Sequence, residues 1–338
     1  MTIKPTGSVS TVTTLKASIE DTLSFVNYHL NSGIDHMYLF FDDPKDRAIE
    51  ALRGYKRVSA FLCDNNHWSK NKINPESGIQ IKQTVNATLA LTIAKKAGFK
   101  WLIHIDVDEL LYGPDNISSY LDRIDPNVDV VRFTALEATP QKMDYDNPYR
   151  DIRFFKHYRG LSPKKKRFTA LKIDQKRQSR IARVWHLKRK IAKIMGSKHA
   201  RREKFLYGHQ SGKCAVRTSL KAESLKCHLP IPAPGSLPRI AISENYCVLH
   251  YDCTGLEGWK KKWKKRLTGE NYHDSKFHSQ ERVQFASKIN TVLNSEHKTQ
   301  ELYRDMYYLT LYEMFLLRAL GLVKRVKISK DKFSLNKT

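Results

Sequence analysis

The chain has 338 residues, of which 41% are hydrophobic, and a formal net charge of +26 at pH 7. This composition excludes a disordered chain, and no window approaches the ~18 uninterrupted apolar residues of a membrane span. The N-terminus has no hydrophobic signal region, and the five cysteines form no CxxC pair. We therefore expect a reducing, cytoplasmic environment and no cysteine-bound zinc.

The positive charge is concentrated in two places, the segment 164–204 and the C-terminal end. Segment 164–204 holds 17 Lys or Arg residues against two acids, Asp174 and Glu203. Such a density favours an anionic partner, namely nucleic acid, an anionic membrane face or an acidic glycan, over a merely solvated surface. We interpret this segment as a basic, partly helical insertion and expect peripheral contact with the inner membrane face.

Hydrophobic periodicity predicts strands and helices that alternate along the first half of the chain. In chain order we predict a strand at 10–16, a helix at 19–33, strands at 36–43 and 57–64, a helix at 80–96, and strands at 100–112 and 129–138. A strand at 244–252, a helix at 255–267 and a basic amphipathic helix at 304–327 follow. This alternation indicates an α/β fold with a mostly parallel central sheet flanked by helices, whose ligands bind at the carboxyl ends of the strands.

The stretch KWLIHIDVDELLY reads as a buried strand that ends in Asp106, Asp108 and Glu109. Unpartnered buried carboxylates cost several kcal/mol, so a cation should lie at the end of this strand. On a continuing strand Asp106 and Asp108 would face the same side, about 7 Å apart. Oxygen ligands in this position suit Mg²⁺ or Mn²⁺ that in turn binds phosphate. The alternative is that the acids cap a helix or lie in a surface turn.

Four segments in order resemble GT-A-type glycosyltransferases of the family-2-like and family-92-like group. The segments are FVNYHLNSGIDHMYLFFDD, KWLIHIDVDELLY, GHQSGKCAVRT and VLHYDCTGLEGWKKKWKKRLTG. The resemblance covers roughly residues 10–270. It implies a GT-A (Rossmann-like) catalytic domain at 1–270, which includes the basic insertion, and a C-terminal helical, basic extension at 271–338. The implied activity is metal-dependent transfer from a nucleotide-sugar donor, which we expect to be UDP-linked, to a glycan or lipid-linked saccharide, with an anionic acceptor as one option.

The resemblance also implies roles for individual residues. Asp106 and Asp108 match the metal-binding DxD pair, and His250 matches a third ligand of Mn²⁺ or Mg²⁺. The implied donor-binding residues are Thr14, Lys16, Asp42, Asp43, Gln83, Asn86, Asp106, Lys213 and Arg217. The chain departs from the pattern at Leu110, where the family carries an aromatic residue. Glu20 is the nearest candidate for the glutamate that the family has near its first strand.

An inverting transfer needs a carboxylate that accepts the proton of the acceptor hydroxyl. We predict Glu137, at the end of strand 129–138, as this catalytic base, and Glu109 as the second candidate. The alternative for Glu137 is a surface acid. We expect inversion, although the sequence leaves retention open, and a retaining enzyme would need no dedicated base.

Two other classes of function compete with this interpretation. The first is a nucleic-acid-binding protein that uses segment 164–204, but no recognisable binding module is present and the acidic strand end would repel a phosphate backbone. We therefore do not expect a nucleic-acid partner. The second is a metal-dependent nucleotidyltransferase, which no Gly-rich phosphate loop supports.

Overall fold

A computed structural model describes residues 8–158, 167–208, 211–253, 255–267 and 280–334. The strands are β1 (Val9–Leu15), β2 (His36–Phe41), β3 (Val58–Leu62), β4 (Trp101–His104), β5 (Glu109–Tyr112), β6 (Val130–Ala138), β7 (Phe154–His157), β8 (Thr169–Ala170), β9 (Lys213–Arg217), β10 (Ala222–Leu225), β11 (Pro230–Pro232), β12 (Arg239–His250) and β13 (Val323–Arg325). The helices are α1 (Ile19–Asn31), α2 (Ala48–Ala51), α3 (Asn65–Lys70), α4 (Ile79–Ala97), α5 (Ile117–Asp122), α6 (Pro148–Asp151), α7 (Lys172–Ile194), α8 (Lys198–Arg201), α9 (Leu256–Leu267), α10 (Gln280–Val292), α11 (Glu296–Tyr307) and α12 (Leu311–Ala319).

The central sheet is built on the parallel strands β3, β2, β1 and β4. β9 pairs antiparallel with β4, and β6 pairs antiparallel with β9. β12 then lies parallel to β6 and carries β5 antiparallel on its other side. With helices on its faces, this mostly parallel, curled sheet confirms the predicted α/β class.

Helices cover the sheet because each presents an apolar side to it. α4 packs through small residues, Ala87, Ala90 and Ala94, which let its backbone approach the buried side chains of Val12 and Phe40. α1 packs on another apolar cluster through side chains that are fully buried. Both α1 and α4 thereby direct one end towards the carboxyl edge of the parallel strands.

The predicted strand 100–112 is interrupted, which corrects the prediction that Asp106 and Asp108 alternate along one strand. β4 ends at His104, and the chain turns before β5 begins at Glu109. The Glu109 N–H donates to the Asp106 carbonyl at 3.0 Å, and the Asp106 N–H donates to Oε2 of Glu109 at 3.0 Å. Glu109 therefore closes a turn, and β5 leaves β4 to pair with β12.

The predicted single helix at 304–327 is wrong, because two breaks divide it into α11, α12 and β13. A capping box at the first break, with Thr310 and Glu313 bonded reciprocally, starts a new helix. Gly321, with φ of +67°, ends α12 before β13. The late strand β12 also begins at Arg239, earlier than predicted.

The basic segment 164–204 contains α7 and α8, in agreement with its predicted helical content. Residues 164–166, at its start, and the predicted domain boundary at 270–271 lie outside the described residues. In the part of the chain that the structure describes, no helix combines the length and apolar character needed to cross a membrane.

His29 joins α1 to β5. Its Nδ1 lies 2.8 Å from the Phe25 carbonyl, and the Leu111 N–H donates to its Nε2 at 3.2 Å. Because Nε2 accepts a hydrogen bond, His29 is neutral. Complete burial lowers the pKa of His29 to about 4, although the Phe25 carbonyl acts in the opposite direction.

We predict that His29 makes the fold sensitive to acid. The unfolded chain protonates this imidazole near its ordinary pKa of 6.5, and the folded chain only near 4, so stability is lost as the pH falls through that window. Between pH 7 and pH 5 the contribution of His29 to the unfolding free energy falls by about 2 kcal/mol. Urea unfolding of His29→Gln should show a pH dependence reduced by this amount, because the amide oxygen still accepts from Leu111. His186→Gln, a change of an exposed histidine, should leave the dependence intact; equal effects of both changes would contradict the prediction.

Candidate active site

Charged side chains from four elements meet where β4 ends and β5 begins. Asp106 lies in the turn that follows β4, and Glu109 is the first residue of β5. Because β9 runs antiparallel to β4, its first residue, Lys213, lies beside that turn. The last residue of β12, His250, is in register with Glu109. Strand pairing alone thus gathers residues that are far apart in the sequence.

Lys213 is the cation that the buried acids require. Its Nζ lies 2.5 Å from Oδ2 of Asp106 and 3.4 Å from Oε2 of Glu109, and the side chains of Lys213 and Glu109 are completely buried. Burial disfavours the ammonium form, but the two carboxylates outweigh burial and raise the pKa of Lys213. Burial also raises the pKa of Glu109, against the influence of Lys213. The ammonium group therefore stays charged and stabilises the turn.

Two amide side chains of α4 reach the same edge of the sheet. Gln83 donates from Nε2 to Oδ1 of Asp106 at 2.8 Å. One turn further on, Asn86 donates from Nδ2 to Oγ1 of Thr14 at 3.0 Å, and its own Oδ1 lies 2.8 Å from Nε2 of His67. The structure therefore brings together the predicted donor-binding residues Thr14, Gln83 and Asn86 with Asp106.

Asp108 is the most exposed of the three acids, with 36% of its side chain accessible. Its Oδ2 lies 3.8 Å from Nε2 of His250 and 4.0 Å from Nζ of Lys262, which also binds Oδ1 of Asp252 at 2.5 Å. Burial disfavours the imidazolium form, but the carboxylates of Asp108 and Asp252 raise the pKa of His250. An exposed carboxylate thus faces an imidazole and an ammonium group.

Glu137 lies on the other side of β12, in register with His250. It is buried, and the Gly208 N–H donates to its Oε2 at 2.5 Å. Burial raises the pKa of Glu137, while the neighbouring Lys156 ammonium and the Gly208 amide act in the opposite direction. A Cβ atom on Gly208 would lie 2.7 Å from Nδ1 of His250 and 3.2 Å from Oε2 of Glu137, so only glycine permits this close approach.

Asp42, Asp43 and Lys16 follow β2 and β1 at this same edge, with different local roles. Asp42 accepts an ion pair from Lys82 at 2.8 Å. The Oδ1 of Asp43 accepts from the Lys45 N–H at 3.0 Å and so stabilises the turn after β2. Lys16 is exposed just beyond β1.

Arg217 does not join these residues, contrary to the prediction. It is in register with Trp101, at the opposite end of β4 from Asp106, and its guanidinium lies over the Trp101 ring at 4.2 Å. Its Nε donates to the Val128 carbonyl at 2.6 Å. The spacing GKCAVR places Lys213 and Arg217 at the two ends of one strand, so only Lys213 can reach the site.

Among the described residues, no group of three or more His, Cys, Asp or Glu side chains is arranged to hold a metal ion. Asp106, Asp108 and His250 therefore do not form the predicted three-ligand cluster. Asp108 and His250 remain near one another and offer one oxygen and one nitrogen donor. A divalent cation that is held partly by substrate phosphates needs only one or two protein ligands, and this pair can supply them.

Sequence analysis missed three residues of the site: Lys262, Asp252 and Lys156. Lys262 and Asp252 lie in VLHYDCTGLEGWKKKWKK, where the abundance of lysines conceals which one turns inward. Lys156 directly follows Phe154 and Phe155 and is buried, but the basic residues around it in the sequence give no local sign that it has a buried partner.

The buried cation between strand-end acids lies at the edge of the α/β sheet where folds of this kind bind their ligands. The chain matches the family model described as glycosyltransferase family 92 over residues 8–289. The protein therefore belongs to glycosyltransferase family 92, which confirms the predicted resemblance to glycosyltransferases.

Two Arabidopsis thaliana proteins described as glycosyltransferase-like are similar to the chain, with 28% and 27% identity over 176 residues. Each alignment covers 46% of this chain, and the chain spans 34% and 38% of the length of these relatives. The chain is also similar to parts of solved structures. A crystal structure of residues 1–349 of S. aureus TarS has a TM-score of 0.28 and 14% identity, covering 41% of this chain and 40% of that one. HddC from Yersinia pseudotuberculosis has a TM-score of 0.34 and 10% identity, covering 77% and 99%.

We predict that removal of the Lys213 charge destabilises the whole domain. Lys213→Met leaves Asp106 and Glu109 without their cation, and breaking a buried ion pair in this way costs about 3–5 kcal/mol. Urea unfolding should show this loss, and the double variant Lys213→Met with Glu109→Gln should recover part of it. Lys100→Met, which removes an exposed ion pair with Asp122, should cost less than about 1 kcal/mol. Equal costs for the two lysine variants would contradict the prediction.

Proposed function

We propose that the protein transfers a sugar from a nucleotide-sugar donor, UDP-linked, to a glycan or lipid-linked saccharide, with the help of Mn²⁺ or Mg²⁺ and with inversion. The observation that supports this most directly is the exposed carboxylate of Asp108, which faces both His250 and Lys262. A diphosphate needs an ammonium group, here Lys262, beside side chains such as Asp108 and His250 that can bind a divalent cation.

Lys262 would stabilise the departing diphosphate. As the bond to the sugar breaks, negative charge accumulates on the leaving phosphate oxygens, and fixed cationic groups stabilise it more than mobile water does. Lys262 is held by Asp252 at 2.5 Å and is therefore preorganised. Lys213, in contrast, is completely buried, so its role is to fix the turn that presents Asp108.

Asp108 and His250 would hold the divalent cation together with the diphosphate. A carboxylate and an imidazole form a mixed donor set, which favours Mn²⁺ over Mg²⁺, because Mg²⁺ prefers oxygen ligands alone. When bound, the cation would act as a Lewis acid on the leaving diphosphate. Asp106 already accepts hydrogen bonds from Gln83 and Lys213, and it would orient the turn that presents Asp108.

The nucleoside would bind along the ends of β1 and β2. Asp42 lies there together with Thr14, which the buried Asn86 holds by a hydrogen bond, and ligands of open α/β sheets bind at this edge. Asp43 and Lys16, which follow the same strands, would contribute from the rim of this edge.

Glu137 would act as the catalytic base. Its raised pKa favours proton acceptance, and it lies beside His250 under the side-chain-free Gly208. Glu109 is the weaker candidate, since its carboxylate lies 3.4 Å from Lys213 and accepts from the Asp106 N–H.

We expect Asp108→Asn to abolish metal-dependent donor binding. Calorimetric titration of UDP-, GDP- and CMP-sugars, with Mn²⁺, Mg²⁺ or EDTA, should show one nucleotide class bound only with metal by the wild-type protein, and a loss of at least about tenfold in the variant. Asp122→Asn changes a surface acid of similar exposure, 42% against 36%, and should bind as the wild type does. Donor binding that is independent of metal and of Asp108 would refute the proposed cation site.

We expect Glu137→Gln to lower kcat by about 10²–10⁴-fold while the affinity for the nucleotide-sugar stays within about twofold of wild type, because a base acts only on the acceptor. Product anomers followed by NMR give the stereochemistry in the same experiment. A retained anomeric configuration, or an equal loss of kcat in Glu109→Gln alone, would reject the role of Glu137.

A further inference from the structure

The outward side of α7 carries a stripe of exposed apolar side chains. The stripe consists of Val184, Leu187, Ile191, Ile194 and Met195, which are exposed by 46%, 59%, 37%, 74% and 48%. The first four recur every three or four residues and so share one side of the helix, while Trp185 and Ala192 lie on the neighbouring side and pack inward. The apolar character of the stripe is therefore not explained by packing within the chain.

The stripe continues onto α12. The Tyr312 hydroxyl donates to the Met195 carbonyl at 2.5 Å, which joins the start of α12 to the end of α7. Leu311 and Phe315, on α12, are exposed by 91% and 75%. We define the docking face as the four apolar residues of α7, Met195 directly after it, and Leu311, Tyr312 and Phe315 of α12. Single exposed apolar residues are ordinary on protein surfaces, but a contiguous group of this size marks an interaction site.

Positive charge surrounds the docking face. The exposed basic residues of α7, α8 and the loop between them are Lys172, Lys176, Arg177, Arg180, Arg183, Lys190, Lys193, Lys198 and Arg201. In the sequence of segment 164–204, two acids, Asp174 and Glu203, oppose 17 basic residues. An apolar stripe flanked by Lys and Arg is the pattern of helices that lie in the interface of an anionic bilayer, where each basic residue contributes about 1 kcal/mol.

We propose that the docking face binds the surface of an anionic phospholipid bilayer, with α7 and the start of α12 lying at headgroup depth. Nucleic acid would satisfy the basic residues but would leave the aliphatic side chains of α7 in water, because bases stack on aromatic side chains and not on aliphatic ones. A second copy of the chain would satisfy the stripe but would bring two dense positive surfaces together. Of these three partners, only an anionic bilayer matches both the apolar stripe and the basic residues around it.

Buried contacts link the docking face to the strand that neighbours Glu137. Glu313 of α12 accepts hydrogen bonds from Ser197 and from the His199 N–H, at 3.0 and 3.1 Å. Nδ1 of His199 lies 2.9 Å from Nζ of Lys156, which is in register with Glu137 across β7 and β6. A bilayer bound at the docking face would therefore hold the active site in a fixed orientation, as a lipid-linked acceptor requires.

The test is flotation of the full chain with vesicles of phosphatidylcholine, alone or mixed with phosphatidylglycerol, in low and high salt. We expect binding to the mixed vesicles, weakened by high salt. Leu187→Glu should reduce this binding about tenfold or more, and so should Leu311→Ser with Phe315→Ser. Leu237→Glu is the matched control, because Leu237 has the same exposure of 59% but lies outside the docking face; it should bind as the wild type does.

Two double charge-reversal variants test how much the basic residues contribute to vesicle binding. Arg183→Glu with Lys190→Glu should weaken vesicle binding at least about tenfold, whereas Lys95→Glu with Lys96→Glu, the same charge change on α4, should not. The changed positions lie on α7, on α4, on α12 (Leu311 and Phe315) and at Leu237. Circular dichroism should confirm that each variant is folded. Nucleotide-sugar binding without vesicles should stay unchanged, so failure of the docking proposal is distinguishable from failure of the proposed function.

Several outcomes would overturn the proposal. One is wild-type protein that binds neither kind of vesicle, and another is Leu187→Glu that binds as tightly as Leu237→Glu. Binding of single-stranded RNA that is lost in Arg183→Glu with Lys190→Glu, without vesicle binding, would assign the surface to nucleic acid. A dimer in analytical ultracentrifugation that Leu187→Glu dissociates, again without vesicle binding, would assign it to a second copy.

Discussion

The geometry of the active site depends on the ammonium group of Lys213, buried between the carboxylates of Asp106 and Glu109. A strand that ends in acids could not be buried without it, because each isolated carboxylate would have to stay hydrated or become neutral. A buried ion pair adds little net stability, yet loss of one partner is costly, so the pair mainly specifies one arrangement of the chain. Here it fixes the turn from β4 to β5 and, through it, the position of Asp108.

The chain uses its excess positive charge in two separate ways. At the candidate active site, Lys213 and Lys262 are each paired with specific acids, and the carboxylates beside Lys213 raise its pKa against the effect of burial. On α7 and α8 the basic residues are exposed and border apolar side chains. The first use organises the edge of the sheet at which we propose that a diphosphate binds. The second gives the protein a surface suited to an anionic bilayer, which we propose from its pattern of charge and apolar exposure.

Two predictions of secondary structure failed because hydrophobic periodicity shows which side of a segment is buried and not where the chain turns. The run 304–327 has the apolar spacing of one helix, but Thr310 and Glu313 form a capping box that starts a new one. This signal was present in the sequence as TLYE. The acids of 106–109 have strand-like alternation, yet the hydrogen bonds of Glu109 form a turn. A local pattern cannot report which distant strand the next residues will join.

The sequence by itself determined the α/β class, the alternation of elements, the acidic strand end and the resemblance to glycosyltransferases, because these follow from local spacing and short motifs. It also required a cation near Asp106. Only the tertiary structure decided that this cation is Lys213, 107 residues away, that Arg217 lies at the far end of β4, and that Asp108 faces Lys262. It likewise decided which side of α7 is exposed. The physical reason is that strand register and burial depend on contacts between distant parts of the chain, which no local pattern encodes.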